Sequence, residues 1–243
     1  MRRFKIQIEY DGTNYCGWQS QKNAPTIQAT IEDALADLNK NRRVVIIGSG
    51  RTDSGVHALG QMAHFDLETK LAPETIKNAV NAKTPEDILI RKCSESDPKF
   101  HSRFWAKKRH YLYRISTTPT VIDRNFCWQY KSKFDFSKLN KCAELIIGQH
   151  DFTGFCKSTD EAESKVCKIF KSSWNIDKNF INYTIVGNRF LHSMVRMLAG
   201  TMMETAKGKL NIIDFKNIFE NKKNRKSVFT APAKGLFLTE VEY

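Results

Sequence analysis

No run of about 18 apolar residues occurs in the 243-residue sequence, which leaves no candidate for a membrane-spanning helix. The opening segment carries Arg2, Arg3 and Lys5 but lacks the apolar core of a signal peptide, and its apolar residues alternate as in a strand. A cytoplasmic location is the expectation. Also missing is any Cys-x-x-Cys pair. The six cysteines are Cys16, Cys93, Cys127, Cys142, Cys156 and Cys167, and the closest two stand eleven residues apart. That spacing offers no zinc site, and buried free thiols are expected. Acidic residues are scarce: Lys and Arg outnumber Asp and Glu by 39 to 26, for a net charge of +13. The excess divides almost evenly, as +6 in residues 1–120 and +7 in the rest, so there is no detachable basic tail. Such a balance fits a polyanionic partner, most often nucleic acid, and equally fits drift toward a composition rich in Lys, Asn and Ile. Hydrophobic residues make up 41%, enough to build one large domain or two smaller ones.

What is present begins with alternation. Residues 3–10, RFKIQIEY, read as a strand, and a turn-rich loop follows. Thr26 can cap a helix that places Ile27, Ile31, Ala34, Leu35 and Leu38 on one face. Strands are expected at 43–47, at GQMAHFDL, at DILIRKC and at KKRHYLYRIS, with a helix from Pro73 to about residue 81. The order strand–helix–strand–strand–helix–strand is ferredoxin-like and α+β. The second half has a comparable cast: a helix near 136–147, strands near 165–176 and 180–187, a helical stripe over 189–206, a short helix near 212–220 and a last strand, GLFLTEVEY. Two α+β halves are expected, residues 1–106 and 107–243, with residues 116–135 as a connecting stretch.

The segment VVIIGSGRTDSGVHALGQ, residues 44–61, starts as a phosphate-binding loop does. A dinucleotide fingerprint would need glycine where Asp53 stands, and a Walker loop would need Lys and Ser/Thr where Val56 and His57 follow Gly55. A carboxylate there repels phosphate, and a strand follows instead of a helix N-terminus. Asp53 fits two readings at this level. It is a common turn residue. It is also an acid two residues from Arg51, and a nearby cation favours an ionised carboxylate that can act as a nucleophile.

Residues 99–114, KFHSRFWAKKRHYLYR, hold six cations and no acid, interleaved with Phe100, Phe104, Trp105, Tyr111 and Tyr113. On a strand, Arg109, Tyr111 and Tyr113 share a face. Cations there can hold phosphates while a ring stacks on an unpaired base, and an edge strand with core aromatics fits as well. Farther along, Arg189, His192 or Ser193, Arg196 and Gly200 recur at helical spacing. They read either as a solvated helix face or as an arginine directed at nucleic acid or a carboxylate.

Taken together, GRTDSGVHALGQ, RHYLYR, FLHSMVRMLAG, APAKGLFL and the opening EYDGTNYCGWQSQ resemble the tRNA pseudouridine synthase A family, in order and over nearly the whole chain. Ser54 stands where alanine is frequent in relatives. The resemblance implies the pseudouridine synthase fold: two ferredoxin-like (RRM-like) halves whose mixed, largely antiparallel sheets form a central cleft. It implies that Asp53 is the catalytic carboxylate, that Arg51 helps displace the target base, and that Tyr111 contacts or stacks on the flipped uracil and assists proton removal. By the same resemblance Arg196 is the ion-pair partner of Asp53 and Leu236 an apolar wall near the base. It further implies no metal or organic cofactor, a homodimer with tRNA lying across both subunits, and uridines 38, 39 and 40 of the anticodon stem-loop as targets.

The chemistry accords with these residue types. Converting uridine to pseudouridine breaks the bond from uracil nitrogen to sugar, turns the base and rejoins it through carbon, with no net redox change. A carboxylate must stay charged in a site closed by a base. Desolvation raises its pKa and an arginine, Arg196 or Arg51, offsets this. A tRNA-binding protein without catalytic activity is the competing reading, and a phosphate-cradling enzyme is a weaker one because both loop templates fail.

Overall fold

The computed structural model describes residues 1–160, 162–220 and 228–243. They form two compact units, Met1–Lys107 with Phe237–Tyr243 and Lys108–Leu236.

Unit 1 is built on strands β1 (Arg2–Tyr10), β2 (Ile47–Gly48), β3 (His57–Leu67) and β4 (Ile88–Glu95), with helices α1 (Ile27–Ala36) and α2 (Pro73–Asn81). β1 runs antiparallel to both β3 and β4, and β2 pairs with β3 on the side away from β1. This 4-1-3-2 order is the ferredoxin-like arrangement that the element order foretells. The alternation of β1 puts Phe4, Ile6, Ile8 and Tyr10 in the core. Thr26 caps α1 by accepting the Ala29 N–H, and Pro73 occupies the first turn of α2.

Two expectations need correction here. Residues 43–46 are not strand; only Ile47–Gly48 is paired. Val44 and Ile46 are buried while Val45 is exposed, so the alternation is real. The partner is a helix. Glu32 accepts the Ile46 N–H at 3.1 Å and Gln28 donates to the Ile46 carbonyl at 3.2 Å, so α1 side chains satisfy the main chain that a neighbouring strand would have satisfied. The division at 106/107 also shifts. The final strand, β10 (Leu236–Glu242), pairs in parallel with β3 at His57 and Ala58, and its residues 237–243 belong to unit 1.

Unit 2 contains β5 (Lys108–Ser116), β6 (Trp128–Gln129), β7 (Gly148–Asp151), β8 (Val166–Asp177) and β9 (Phe180–Gly187). Its sheet runs β5-β9-β8-β7 with every neighbour antiparallel, and β6 adds two residues parallel to the end of β5. Its described residues include the helices α3 (Phe136–Leu145), α4 (Met194–Ala206) and α5 (Ile212–Glu220). Tyr183 and Trp174 stack at 4.7 Å in a core closed by Leu139, Cys142, Leu198 and Met202. Cys127, Cys142, Cys156 and Cys167 are buried and Cys16 is exposed. Among the described residues no helix is long and apolar enough to cross a membrane.

Candidate active site

In unit 1 the connection from β2 to β3 carries Arg51 and Asp53, and the main chain around them is tied down nearly residue by residue. Ser49 donates its N–H to the Met62 carbonyl and its hydroxyl to Gln61 Oε1, both at 2.7 Å. Gln61, fully buried, donates to the Gly50 carbonyl at 2.9 Å. The Thr52 hydroxyl pairs with that of Tyr10 at 2.8 Å in the interior, and the Thr52 carbonyl accepts the Trp18 N–H at 3.1 Å. The Val56 N–H closes a turn onto the Asp53 carbonyl at 3.1 Å. Gly55 N–H and the Ser54 hydroxyl both reach the Tyr15 carbonyl, at 3.3 and 3.1 Å. Each such bond contributes about 1 kcal/mol net, and together they leave the turn little freedom.

The loop after β1 is therefore the clamp on the Asp53 turn. Gly17 has φ +90° and sits so close to the turn that a Cβ there would stand 2.5 Å from the Thr52 carbonyl oxygen. This explains why EYDGTNYCGWQSQ accompanies the signature loop. On the other side of Arg51, nothing lies within 4 Å of where a Gly50 Cβ would be, so the backbone there is open to a large ligand. Asp53 is half-buried and Arg51 is exposed. Water screens an exposed guanidinium, which weakens its hold on the carboxylate.

Unit 2 supplies the other three expected residues. Tyr111 lies on β5 with 8% of its surface exposed, its ring edge-on to Phe190 at 5.1 Å. Tyr113, two residues on and on the same face, is fully buried and donates its hydroxyl to the Pro232 carbonyl at 2.8 Å; it is a structural ring. Burial drives its pKa far up, with Arg196 pulling the other way. Arg196 stands in the first turn of α4. Its Nε donates to the Ala231 carbonyl at 2.9 Å, and the Ala231 N–H returns to the Arg196 carbonyl at 3.1 Å. Gly200, one turn later, leaves space for the main chain at Phe229 and Ala231. Leu236 follows on the short 3-10 turn Ala233–Gly235 and is buried. α4 thus holds the APAKGL segment directly.

The stripe at 189–206 is only partly helical. Arg189, His192 and Ser193 precede α4, and Ser193 adopts φ +60°. Asp160 ties this approach down. Its carboxylate accepts the His192 N–H at 2.6 Å, the Ala162 N–H at 2.9 Å and Lys165 Nζ at 2.9 Å. Burial pushes the Asp160 pKa up, but the His192 N–H, Lys165 and the Ala162 N–H outweigh it and hold the carboxyl down to about 2. Lys157 N–H also donates to the His192 carbonyl at 3.2 Å. Lys157, Asp160, Ala162 and Lys165 therefore anchor the approach to α4.

Asp53 and Arg51 share one turn of unit 1, while Tyr111, Arg196 and Leu236 belong to unit 2. Sequence reasoning overlooked Tyr10, Trp18 and Thr52 as supports and Asp160 as an anchor. Only the position of Gly17 within the motif signalled the first group; nothing in the spacing signalled Asp160. Among the described residues, no group of three or more His, Cys, Asp or Glu is placed to hold a metal ion.

A family model described as tRNA pseudouridine synthase matches residues 6–104 and 142–243. The tRNA pseudouridine synthase A of Geobacillus sp. (strain WCH70) is 38% identical over 244 residues, spanning 100% of this chain and 98% of the relative. Those of Acetivibrio thermocellus and Clostridium kluyveri are each 40% identical over 245 residues, with both chains covered in full.

Proposed function

The chain belongs to the tRNA pseudouridine synthase family and is accordingly an isomerase of uridine in tRNA, and we propose that Asp53 is its catalytic nucleophile, acting on flipped-out uridines at positions 38, 39 and 40 of the anticodon stem-loop. The observation that carries this reading is the Asp53 turn: a half-buried carboxylate on a main chain clamped by Tyr10, Trp18 and Tyr15. A protein that only bound RNA would have no use for an acid presented so rigidly to a polyanion. Extruding the base costs a few kcal/mol, and stacking on an aromatic face recovers part of that.

The remaining roles follow the resemblance. Tyr111 meets the flipped uracil, Arg51 assists displacement of the base, Leu236 forms an apolar wall, and Arg196 is the ion-pair partner of Asp53. The enzyme works as a homodimer in the cytoplasm without metal or organic cofactor. Asp53→Asn should reduce pseudouridine formation in an unmodified tRNA to below about one-thousandth of wild type, with tRNA affinity within about threefold. Mapping of pseudouridine by position, beside a filter-binding measurement, makes the test. Full activity of the Asn variant would remove Asp53 from the mechanism, and product at other positions only would remove the assignment to 38–40.

A further inference from the structure

Within unit 1 the turn at residues 101–105 displays two large rings to solvent. Phe104 is 75% exposed and Trp105 48% exposed, in a chain whose other large aromatics are mostly interior. This display is built. His101 Nδ1 accepts the N–H groups of Arg103 and Phe104 at 3.2 and 3.3 Å, and the Trp105 N–H donates to the His101 carbonyl at 3.0 Å. The His101 ring lies 4.2 Å from that of Phe104 at an interplanar angle of 30°, so the two form a nearly stacked pair. Trp105 is braced edge-on against buried Phe100 at 5.6 Å. The Arg103 guanidinium stands 5.9 Å from the Phe104 centroid. Leaving a phenyl ring this exposed forfeits most of the stabilisation its burial would give, and a turn tied to hold it there points to an occupant.

The charge of the surroundings selects the occupant. Residues 99–114 contain no acid. The nearest acid in sequence, Asp97, accepts the Lys99 N–H, and Asp66, which faces the same segment through Arg3, is paired with that arginine at 2.6 Å. RNA brings phosphates for the cations and a π-face for each ring.

We propose that the His101–Phe104–Trp105 turn is a stacking platform for an unpaired nucleotide of the RNA substrate, with Arg103 beside it for the adjoining phosphate. This rests on the reading of tRNA as substrate. The platform is separate from the Asp53 turn and serves affinity, not the chemical step.

The test uses the full chain and an unmodified tRNA. Phe104→Ala should raise KM, and the dissociation constant measured by filter binding in the Asp53→Asn background, by about tenfold. kcat should stay within about twofold, and Phe104→Tyr should restore both constants. Light scattering should give the same assembly mass for wild type and Phe104→Ala. Unchanged KM and dissociation constant overturn the proposal. So does a lower assembly mass, which would assign the face to a second copy, or a loss that Phe104→Tyr does not restore. A wild-type protein that binds tRNA but forms no pseudouridine would refute the parent reading alone, since the binding comparison still decides the platform.

Discussion

Gly17 is fitted closely against the Asp53 turn. Its φ of +90° is a left-handed conformation that side chains rarely adopt, and its missing Cβ is what lets the Thr52 carbonyl approach the Trp18 N–H. Gly17→Ala imposes both a backbone penalty and a contact with main chain that cannot swing aside. A destabilisation of about 1–3 kcal/mol is expected. Because the strain falls on the turn itself, kcat should drop more than the loss of stability explains when assayed well below the melting temperature. Thermal melting and steady-state kinetics on the same preparation separate the two. Asp53 itself was legible as an oddity, the one residue that spoils a phosphate loop. Its setting was not, because Tyr10 and Trp18 reach it only through the folded path of the loop after β1.

At the level of elements, α4 shows where local pattern ends. The apolar residues Phe190, Leu191, Met194, Val195, Leu198 and Met202 are spaced for one continuous helix, yet the helix begins at Met194. The Asp160 carboxylate binds the His192 N–H and holds the approach as a turn. Removing it with Asp160→Ala takes the side-chain acceptor from the His192 and Ala162 N–H groups and the carboxylate from Lys165, a loss of about 1–2 kcal/mol that urea unfolding at pH 7 would measure. The folded pKa is depressed to about 2 against about 3.9 in an unfolded chain, so the unfolded state takes up the proton first. The contribution is fully present above pH 4 or so and disappears as pH falls toward about 2. The gap between wild type and Asp160→Ala should close over that interval, and a gap that persisted at the acid end would assign the effect to packing. Strands β1, β3, β5, β8 and β9, the Thr26 cap and the Pro73 helix start were all legible because their determinants are local. The strand expected at 43–47 failed for the opposite reason. Its alternation is genuine, but Glu32 and Gln28 of α1 satisfy its main chain.

For the whole molecule, the +13 charge is what chiefly draws a polyanion to the surface. KM for tRNA should rise steeply with salt, with a log–log slope of several, one unit or less for each phosphate neutralised. A flat response between about 50 and 200 mM salt would contradict an electrostatic origin for the affinity. The order of the chain adds a different constraint. Unit 1 is interrupted: residues 108–236 are spelled out between its strand β4 and its strand β10. Phe237 stacks on His57 at 4.8 Å, and Gly60 packs against the Thr239 carbonyl, so the strand that follows the Asp53 turn has neighbours that come after the whole of unit 2 in the chain. A ribosome releases these parts in sequence. The nascent chain presents Asp53 early, on a sheet still missing a member, and the turn that carries it acquires its full support only when residues 237–243 leave the exit tunnel.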